Sequence, residues 1–131
     1  MLPDRHPPED YREWLNRANS SLLHALTERS GVYLEDLCYD AQQAAEKALK
    51  AVFIQRGLRF PYTHNLARLM ELLQQDGVAL PYEVSQAAAL SDYAVETRYP
   101  GLSEPVTRQD YQEAVEMAQV VLNWASNLLN L

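Results

Sequence analysis

Residues 41–50 read Ala-Gln-Gln-Ala-Ala-Glu-Lys-Ala-Leu-Lys, and this stretch decides the fold. These residue types are strong helix formers, and no glycine, proline or β-branched residue interrupts them. The run predicts the interior of a long helix, from about Glu35 to Arg56, which Gly57 ends. Within it, Glu46 stands four residues before Lys50, the favourable order for a helical ion pair, which predicts a pair on the protein surface.

Apolar residues at helical spacing predict further helices on both sides of this run. The first extends from Glu9 or Asp10 to about Arg29. A short helix contains Leu66, Leu69, Met70 and Leu73 and ends at Gly77, and the next runs from Pro81 to Thr97. The last begins at a capping box of Thr107 and Asp110 and continues to about Leu129. Glycine and proline fall between these segments. The sequence therefore predicts an all-α, antiparallel helical bundle of four long helices and one short helix. Residues 1–8 are predicted to form a flexible arm, and residues 9–131 a single domain.

The composition is acidic and limits the possible functions. The chain has 11 Lys and Arg against 18 Asp and Glu, a formal net charge of -7. This charge argues against an extended nucleic-acid interface, although a small basic site stays possible. The single cysteine, Cys38, excludes an intrachain disulfide and a cysteine zinc cluster, and we expect it to pack in the core. We expect no cofactor, no metal, no signal peptide and no membrane helix, and predict a cytoplasmic protein.

The tetrapeptide Thr97-Arg98-Tyr99-Pro100 closes the fourth predicted helix. Counted from Val84 at about 100° per residue, the apolar stripe of that helix includes Arg98. A guanidinium keeps its charge, so Arg98 must either pair with an acceptor or face a cleft. Two interpretations follow: a buried pair with a carboxylate, and a site that binds anions or nucleotides.

Four elements together resemble the HEPN family (higher eukaryotes and prokaryotes nucleotide-binding domain). They are the early helix with Trp14 and Ala18, the run of residues 42–51 with Gly57 after it, the sequence Thr63-His64-Asn65-Leu66, and residues 97–100 ahead of an Ala/Val-rich last helix. They occur in the family's order and cover residues from about 10 to 129. The resemblance implies a helical domain that forms a two-fold homodimer, in which Arg98 from both chains could line one groove.

Many members of this family resemble metal-independent ribonucleases, often toxins, that use an arginine and a histidine a few residues later. The histidine would move a proton, and the arginine would stabilise charge on the phosphorane. In this chain, the positions where that histidine would stand hold Ser103, Glu104 and Pro105. Arg98 and His64 remain the catalytic candidates. His64 follows Arg59 at a matching spacing but lies outside the family position, and it also fits the capping region of a helix.

The resemblance also implies a second possible role, as a subunit paired with a minimal nucleotidyltransferase in a two-component, toxin–antitoxin-like system. This is the interpretation we favour: a binding subunit with Arg98, Tyr99, Lys47 and Gln43 as ligand-binding residues. Tyr99 is then the candidate acceptor for modification by the nucleotidyltransferase. The alternatives are a ribonuclease with an incomplete Arg-His motif and a module that binds a nucleotide or RNA directly.

Overall fold

A computed structural model describes residues 1–94 and 105–130 of the chain. Within these residues the chain forms five α-helices and one 3₁₀ helix, without a strand. The α-helices are α1 (Tyr11–Ala25), α2 (Leu34–Gln55), α3 (Leu66–Gln75), α4 (Tyr82–Gln86) and α5 (Arg108–Leu129), and the 3₁₀ helix (Ala87–Tyr93) directly follows α4. The prediction of an all-α fold is confirmed.

Helix α2 is the centre of the domain, packed between α1 and α5. From Ala44 to Phe53 every residue except Lys47 is buried, so other elements surround this half of the helix. Its many alanines allow the neighbouring helices to approach closely, while Leu49 and Phe53 fill the space between them. Burying a side chain the size of leucine stabilises the fold by about 1.5–3 kcal/mol relative to exposure. The predicted helix former is therefore also the main source of core contacts.

Helix α1 ends at Ala25, four residues before the predicted Arg29, but other helix ends follow the predicted chemistry. The Asn65 side chain accepts a hydrogen bond from the backbone N–H of Arg68 at the start of α3. Thr107 and Asp110 form the predicted reciprocal capping box at the start of α5. Gly57 follows α2 with a φ of 71°, a left-handed conformation that glycine adopts without a steric penalty. These local signals place the starts and stops of the helices that hold the polar site.

The fourth helix differs from the prediction. Only Tyr82–Gln86 is α-helical, the next turn is 3₁₀, and Ala94 is extended with a ψ of 148°. A 3₁₀ helix advances about 120° per residue, so the stripe counted at the α-helical angle does not continue through this segment. Residues 95–104, which include Arg98, lie outside the described residues.

The predicted N-terminal arm, residues 1–8, lies against α1. The backbone N–H of His6 donates to a Glu13 carboxylate oxygen over 2.9 Å. The Trp14 indole N–H donates to the carbonyl oxygen of Pro8 over 2.8 Å. The arm therefore makes specific contacts with the first turns of α1, and its flexibility stays a prediction.

Candidate polar site on helix α2

A buried polar network occupies one side of α2. Gln42, Glu46 and Lys50 follow one another at four-residue intervals, which places them on one face of the helix. All three are buried, with Glu46 only 3% exposed and Lys50 9% exposed. The Lys50 ammonium lies 2.8 Å from Glu46 Oε2, and the Gln42 amide donates to Glu46 Oε1 over 3.0 Å. The prediction that Glu46 and Lys50 form a surface pair is therefore wrong, because their side of α2 is covered.

The segment that leads into α3 completes this network. His64 Nδ1 lies 2.8 Å from Glu46 Oε1, and the Gln42 amide also donates to the His64 carbonyl oxygen over 3.2 Å. An ionised carboxylate can only accept hydrogen bonds, so Nδ1 carries the hydrogen in this contact. The neighbouring Asn65 is the capping residue of α3, consistent with the expectation that His64 belongs to a helix-start region. Glu46 thus joins two parts of the chain that are distant in sequence.

The surroundings of Glu46 favour its charged form. Burial raises the pKa of this carboxyl, but hydrogen bonds from Lys50, Gln42 and His64 outweigh burial and hold the pKa below its usual value. Glu46 is therefore ionised at neutral pH and balances the charge of Lys50. A buried carboxylate bonded to an imidazole fixes the orientation and tautomer of the ring, an arrangement that general acid–base sites use.

Aromatic rings cover the Lys50 end of the network. The Lys50 ammonium lies 4.9 Å from the centre of the Phe60 ring, within the range of a cation–π contact. Phe60 in turn stacks on Phe53 and meets Trp14 edge-on, with ring centres 6.0 and 5.3 Å apart. The residues after α2 therefore seal this side of the network with apolar surface.

Two of the predicted ligand-binding residues lie beside the network. The Gln43 amide donates to Gln42 Oε1 over 2.8 Å, so Gln43 extends the hydrogen-bonded chain outward. The Lys47 ammonium donates to Ser21 Oγ of α1 over 2.9 Å. Both side chains are half-buried, so they lie between the core and the surface. The other two predicted residues, Arg98 and Tyr99, lie outside the described residues.

One further contact leads from the network toward the Arg98 segment. The backbone N–H of Leu66, at the start of α3, donates to Ser91 Oγ in the 3₁₀ helix over 2.9 Å. This contact joins the start of α3 to the 3₁₀ helix, and residues 95–104 follow that helix in sequence.

The comparisons with known proteins agree with this architecture. The HEPN domain model matches residues 11–128, nearly the whole chain. The chain belongs to the HEPN family. The crystal structure of TT1696 from Thermus thermophilus is similar to it, with 34% identity, a TM-score of 0.75, and coverage of 89% of this chain and 96% of TT1696.

A second solved structure, ST0689, described as an archaeal HEPN homologue, is also similar. It has 26% identity and a TM-score of 0.73, and the match covers 92% of this chain and 98% of ST0689. No curated protein matches the chain. The predicted family is therefore confirmed, and the matches extend over nearly the full length of both solved structures.

Sequence reasoning found some members of the polar site and missed others. It selected Gln43, Lys47 and His64 individually, but not the contact of His64 with Glu46, which lies 18 residues away. The sequence does contain one sign of this network, the many polar residues in an otherwise alanine-rich helix. Those residues predict a buried network only once the helix is known to be central. No group of His, Cys, Asp or Glu in residues 1–94 and 105–130 could hold a metal ion. None of the helices described is long and apolar enough to cross a membrane.

Proposed function

We propose that this HEPN domain is the binding subunit of a two-component, toxin–antitoxin-like system in the cytoplasm, with a minimal nucleotidyltransferase as its protein partner. Family membership supports the proposal, because such pairing is one of the two functions that the resemblance implies. The net charge of -7 favours a protein partner over an extended nucleic-acid ligand. The sequence after Arg98 also lacks the histidine that the ribonuclease members use.

The observation that carries a protein-binding role is an exposed apolar surface at the end of α1. Leu23, Leu26, Val32 and Tyr33 are all exposed, with Tyr33 75% exposed, and they fall within one short stretch of the chain. Val32 also lines a groove of about 350 Å³, whose other walls include Glu28, Arg29 and Arg108. Apolar residues concentrated on a surface in this way mark sites of protein association.

Direct binding tests this role. The test is to look for a minimal nucleotidyltransferase encoded beside this chain and to titrate the purified chain with it, and we expect a complex at micromolar concentration or tighter. Leu26→Asp should weaken that complex at least tenfold, since it places a charge in the apolar surface. Tyr82→Asp is the matched control, because Tyr82 is also an exposed apolar residue but lies on α4. The absence of such a neighbouring gene, or of binding, would overturn the proposal.

The same proposal includes nucleotide binding and dimerisation. Gln43 and Lys47 would contact a nucleotide together with Arg98 and Tyr99, and the two-fold homodimer would bring both Arg98 side chains to one groove. Thermal melting with millimolar ATP tests the ligand, because a molecule that binds only the folded chain raises the melting temperature. An unchanged melting temperature would exclude this site. A monomer in light scattering would exclude the homodimer.

Modification of Tyr99 is a separate part of the proposal. After incubation with the nucleotidyltransferase and ATP, mass spectrometry should find nucleotide on Tyr99 and lose it in Tyr99→Phe. Tyr62→Phe is the control, since Tyr62 is 98% exposed and accessible to any nonselective transfer. Modification that persists in Tyr99→Phe would assign the acceptor elsewhere.

A metal-independent ribonuclease is the second candidate function, and the His64–Glu46 contact favours it. A histidine oriented by a buried carboxylate could serve as the acid–base group that the Arg98 motif lacks. RNA cleavage in the presence of a metal chelator tests this function. Activity lost in both His64→Ala and Arg98→Ala would support it. Absence of cleavage by the unmodified chain would exclude it, and cleavage that survives Arg98→Ala would exclude a role for Arg98.

A further inference from the structure

The groove that Val32 lines contains two arginines beside apolar side chains. It lies where the chain after α1 meets the starts of α2 and α5, and Arg29 and Arg108 form part of its wall. Leu34 and Leu37 of α2 supply the rest of its apolar surface. Val32 belongs both to this groove and to the exposed apolar surface at the end of α1, so the two are continuous. We call this site the arginine groove.

One of the two arginines is anchored. Arg108 Nη1 donates to Glu28 Oε1 over 2.6 Å, which joins the first turn of α5 to the chain after α1. A guanidinium has five N–H donors, and this bond uses one of them. Within the described residues it is the one side-chain hydrogen bond of Arg108. Glu28 therefore fixes the position of this guanidinium and leaves it donors for a ligand.

The second arginine, Arg29, carries a charge that no carboxylate balances within residues 1–94 and 105–130. Its backbone is held in a turn, because the Val32 N–H donates to the Arg29 carbonyl oxygen over 3.2 Å. Among the residues that line the groove, Glu28 is the one acid and it pairs with Arg108. Two arginines against one glutamate leave the groove with one positive charge in excess, in a chain whose net charge is -7.

We propose that the arginine groove binds an acidic, apolar peptide segment, an aspartate or glutamate next to an apolar residue of about the size of leucine. The carboxylate accepts paired hydrogen bonds from Arg29 and the remaining donors of Arg108, while the apolar side chain covers Val32 and Leu34. This binding mode rests on the proposed function and extends it by naming the part of the protein partner that the surface recognises. Charge complementarity favours a peptide over RNA, since a single carboxylate meets the local positive charge whereas a polyanion is repelled by the acidic chain.

A peptide selection tests the groove without any nucleotidyltransferase. Random short peptides displayed on phage are selected for binding to the full chain, and those that also bind Arg29→Glu are removed. We expect the remaining peptides to share an acidic residue beside an apolar one. An empty pool, or remaining peptides without an acidic residue, would overturn the proposal.

Fluorescence anisotropy with one synthetic peptide from that pool then measures the contact. Arg29→Glu should weaken binding at least tenfold, because it replaces an attraction by a repulsion. Arg29→Ala, and an amide in place of the peptide carboxylate, should each weaken binding about two- to fivefold, the range of an exposed ion pair. Both changes together should lose no more than either alone, since they remove the same contact. Additive losses would refute the pairing.

Arg59→Glu is the matched control. Arg59 is also exposed and also has no ion pair among the described residues, but it lies in the segment after α2. Binding should stay within about twofold of the unmodified chain, as expected for a distant exposed charge. Equal weakening by Arg59→Glu would reduce the effect of Arg29 to overall charge and overturn the proposal. So would displacement of the peptide by a single-stranded oligoribonucleotide that binds more tightly than the peptide.

The same variants separate the arginine groove from the proposed partner. A nucleotidyltransferase complex that Leu26→Asp weakens and Arg29→Glu does not would keep the protein-binding role and refute the acidic segment. Conversely, an acidic peptide that depends on Arg29, found without any nucleotidyltransferase complex, would support the groove and refute that partner.

Discussion

Replacing Glu46 with glutamine is the most direct test of the buried network. The substitution keeps the shape of the side chain but removes the charge that balances Lys50. Removing one partner of a buried ion pair costs about 3–5 kcal/mol, since the other charge stays buried without compensation. Phe60 still contacts the Lys50 ammonium, and the glutamine can still accept one hydrogen bond. We therefore expect a loss near the lower limit, about 3 kcal/mol of unfolding free energy.

The loss should be large in a melting experiment. For a chain of 131 residues, the unfolding entropy is about 0.3 kcal/mol per degree, so 3 kcal/mol lowers the melting temperature by about 10 °C. Circular dichroism at neutral pH measures this shift, and urea titration gives the free energy. Glu71→Gln is the matched control, because Glu71 and Arg68 form an ion pair with side chains 57% and 50% exposed. That control should lose less than about 0.5 kcal/mol.

The dependence on pH provides a second measurement on the same variant. The folded chain holds the pKa of Glu46 below the usual value of 4.5, so its carboxylate stabilises the fold fully above that pH. This contribution is lost as the pH falls below 4.5 toward the lowered pKa of the folded state. The stability curves of the unmodified chain and Glu46→Gln should therefore converge on acidification. A constant difference between them, or a neutral-pH loss no larger than in Glu71→Gln, would refute the reasoning.

Three further substitutions test local features of the fold by urea denaturation. Thr107→Ala removes the hydroxyl that caps α5 through Asp110 and should cost about 1 kcal/mol, and a loss below about 0.3 kcal/mol would contradict the capping box. Tyr111→Phe removes the buried hydrogen bond, 2.5 Å long, from the phenol to the Ala25 carbonyl oxygen. It should lower the free energy of unfolding by about 1–2 kcal/mol, and an unchanged stability would disprove that contact. Gly57→Ala places a methyl group in open space, but at a φ of 71°. Backbone strain alone should therefore lower the free energy of unfolding by about 1 kcal/mol, and a stabilising effect would disprove that conformation.

The helices that could be predicted from sequence are those whose local signals agree with their surroundings. The run of residues 41–50 has high helix propensity, and its central position in the fold adds burial to the same conformation. Gly57 and the Thr107–Asp110 pair act through their own backbone and nearest neighbours, so the sequence alone locates them. The observed bounds of α2 and α5 accordingly lie close to those predicted.

The fourth helix shows where this local reasoning stops. Residues 87–93 contain three alanines and a leucine, which suit an α-helix as well as a 3₁₀ helix. The segment also makes a tertiary contact, since Ser91 Oγ accepts the N–H of Leu66 in the first turn of α3. A partner 25 residues away is invisible to any count of helical spacing. The predicted stripe that included Arg98 depended on the α-helical angle, which residues 87–93 do not keep.

The burial of Glu46 and Lys50 could not be predicted for a related reason. A glutamate four residues before a lysine has the same local pattern on an exposed helix and on a covered one. Here the residues after α2 supply the cover, through the Phe60 ring and the contact with His64. Which face of α2 becomes polar and buried is thus decided by a segment that follows the helix in sequence.

This arrangement suggests what a costly buried charge does in a domain of this kind. An apolar cluster of similar volume could be as stable as the ion pair, so stability alone does not account for Glu46. The carboxylate instead accepts donors at defined positions: Lys50 lies on α2 itself, and His64 lies in the segment that leads into α3. The His64 contact specifies how that segment aligns with α2, because a shifted alignment leaves a hydrogen bond to the buried carboxylate unmade.

In this chain the aligned elements are α2 and the start of α3, which bonds in turn to the 3₁₀ helix ahead of residues 95–104. We therefore expect Glu46→Gln to weaken any function of Arg98 by more than its loss of stability explains, when activity or nucleotide binding is measured well below the melting temperature. An unchanged function of Arg98 in a destabilised Glu46→Gln chain would separate the network from that segment.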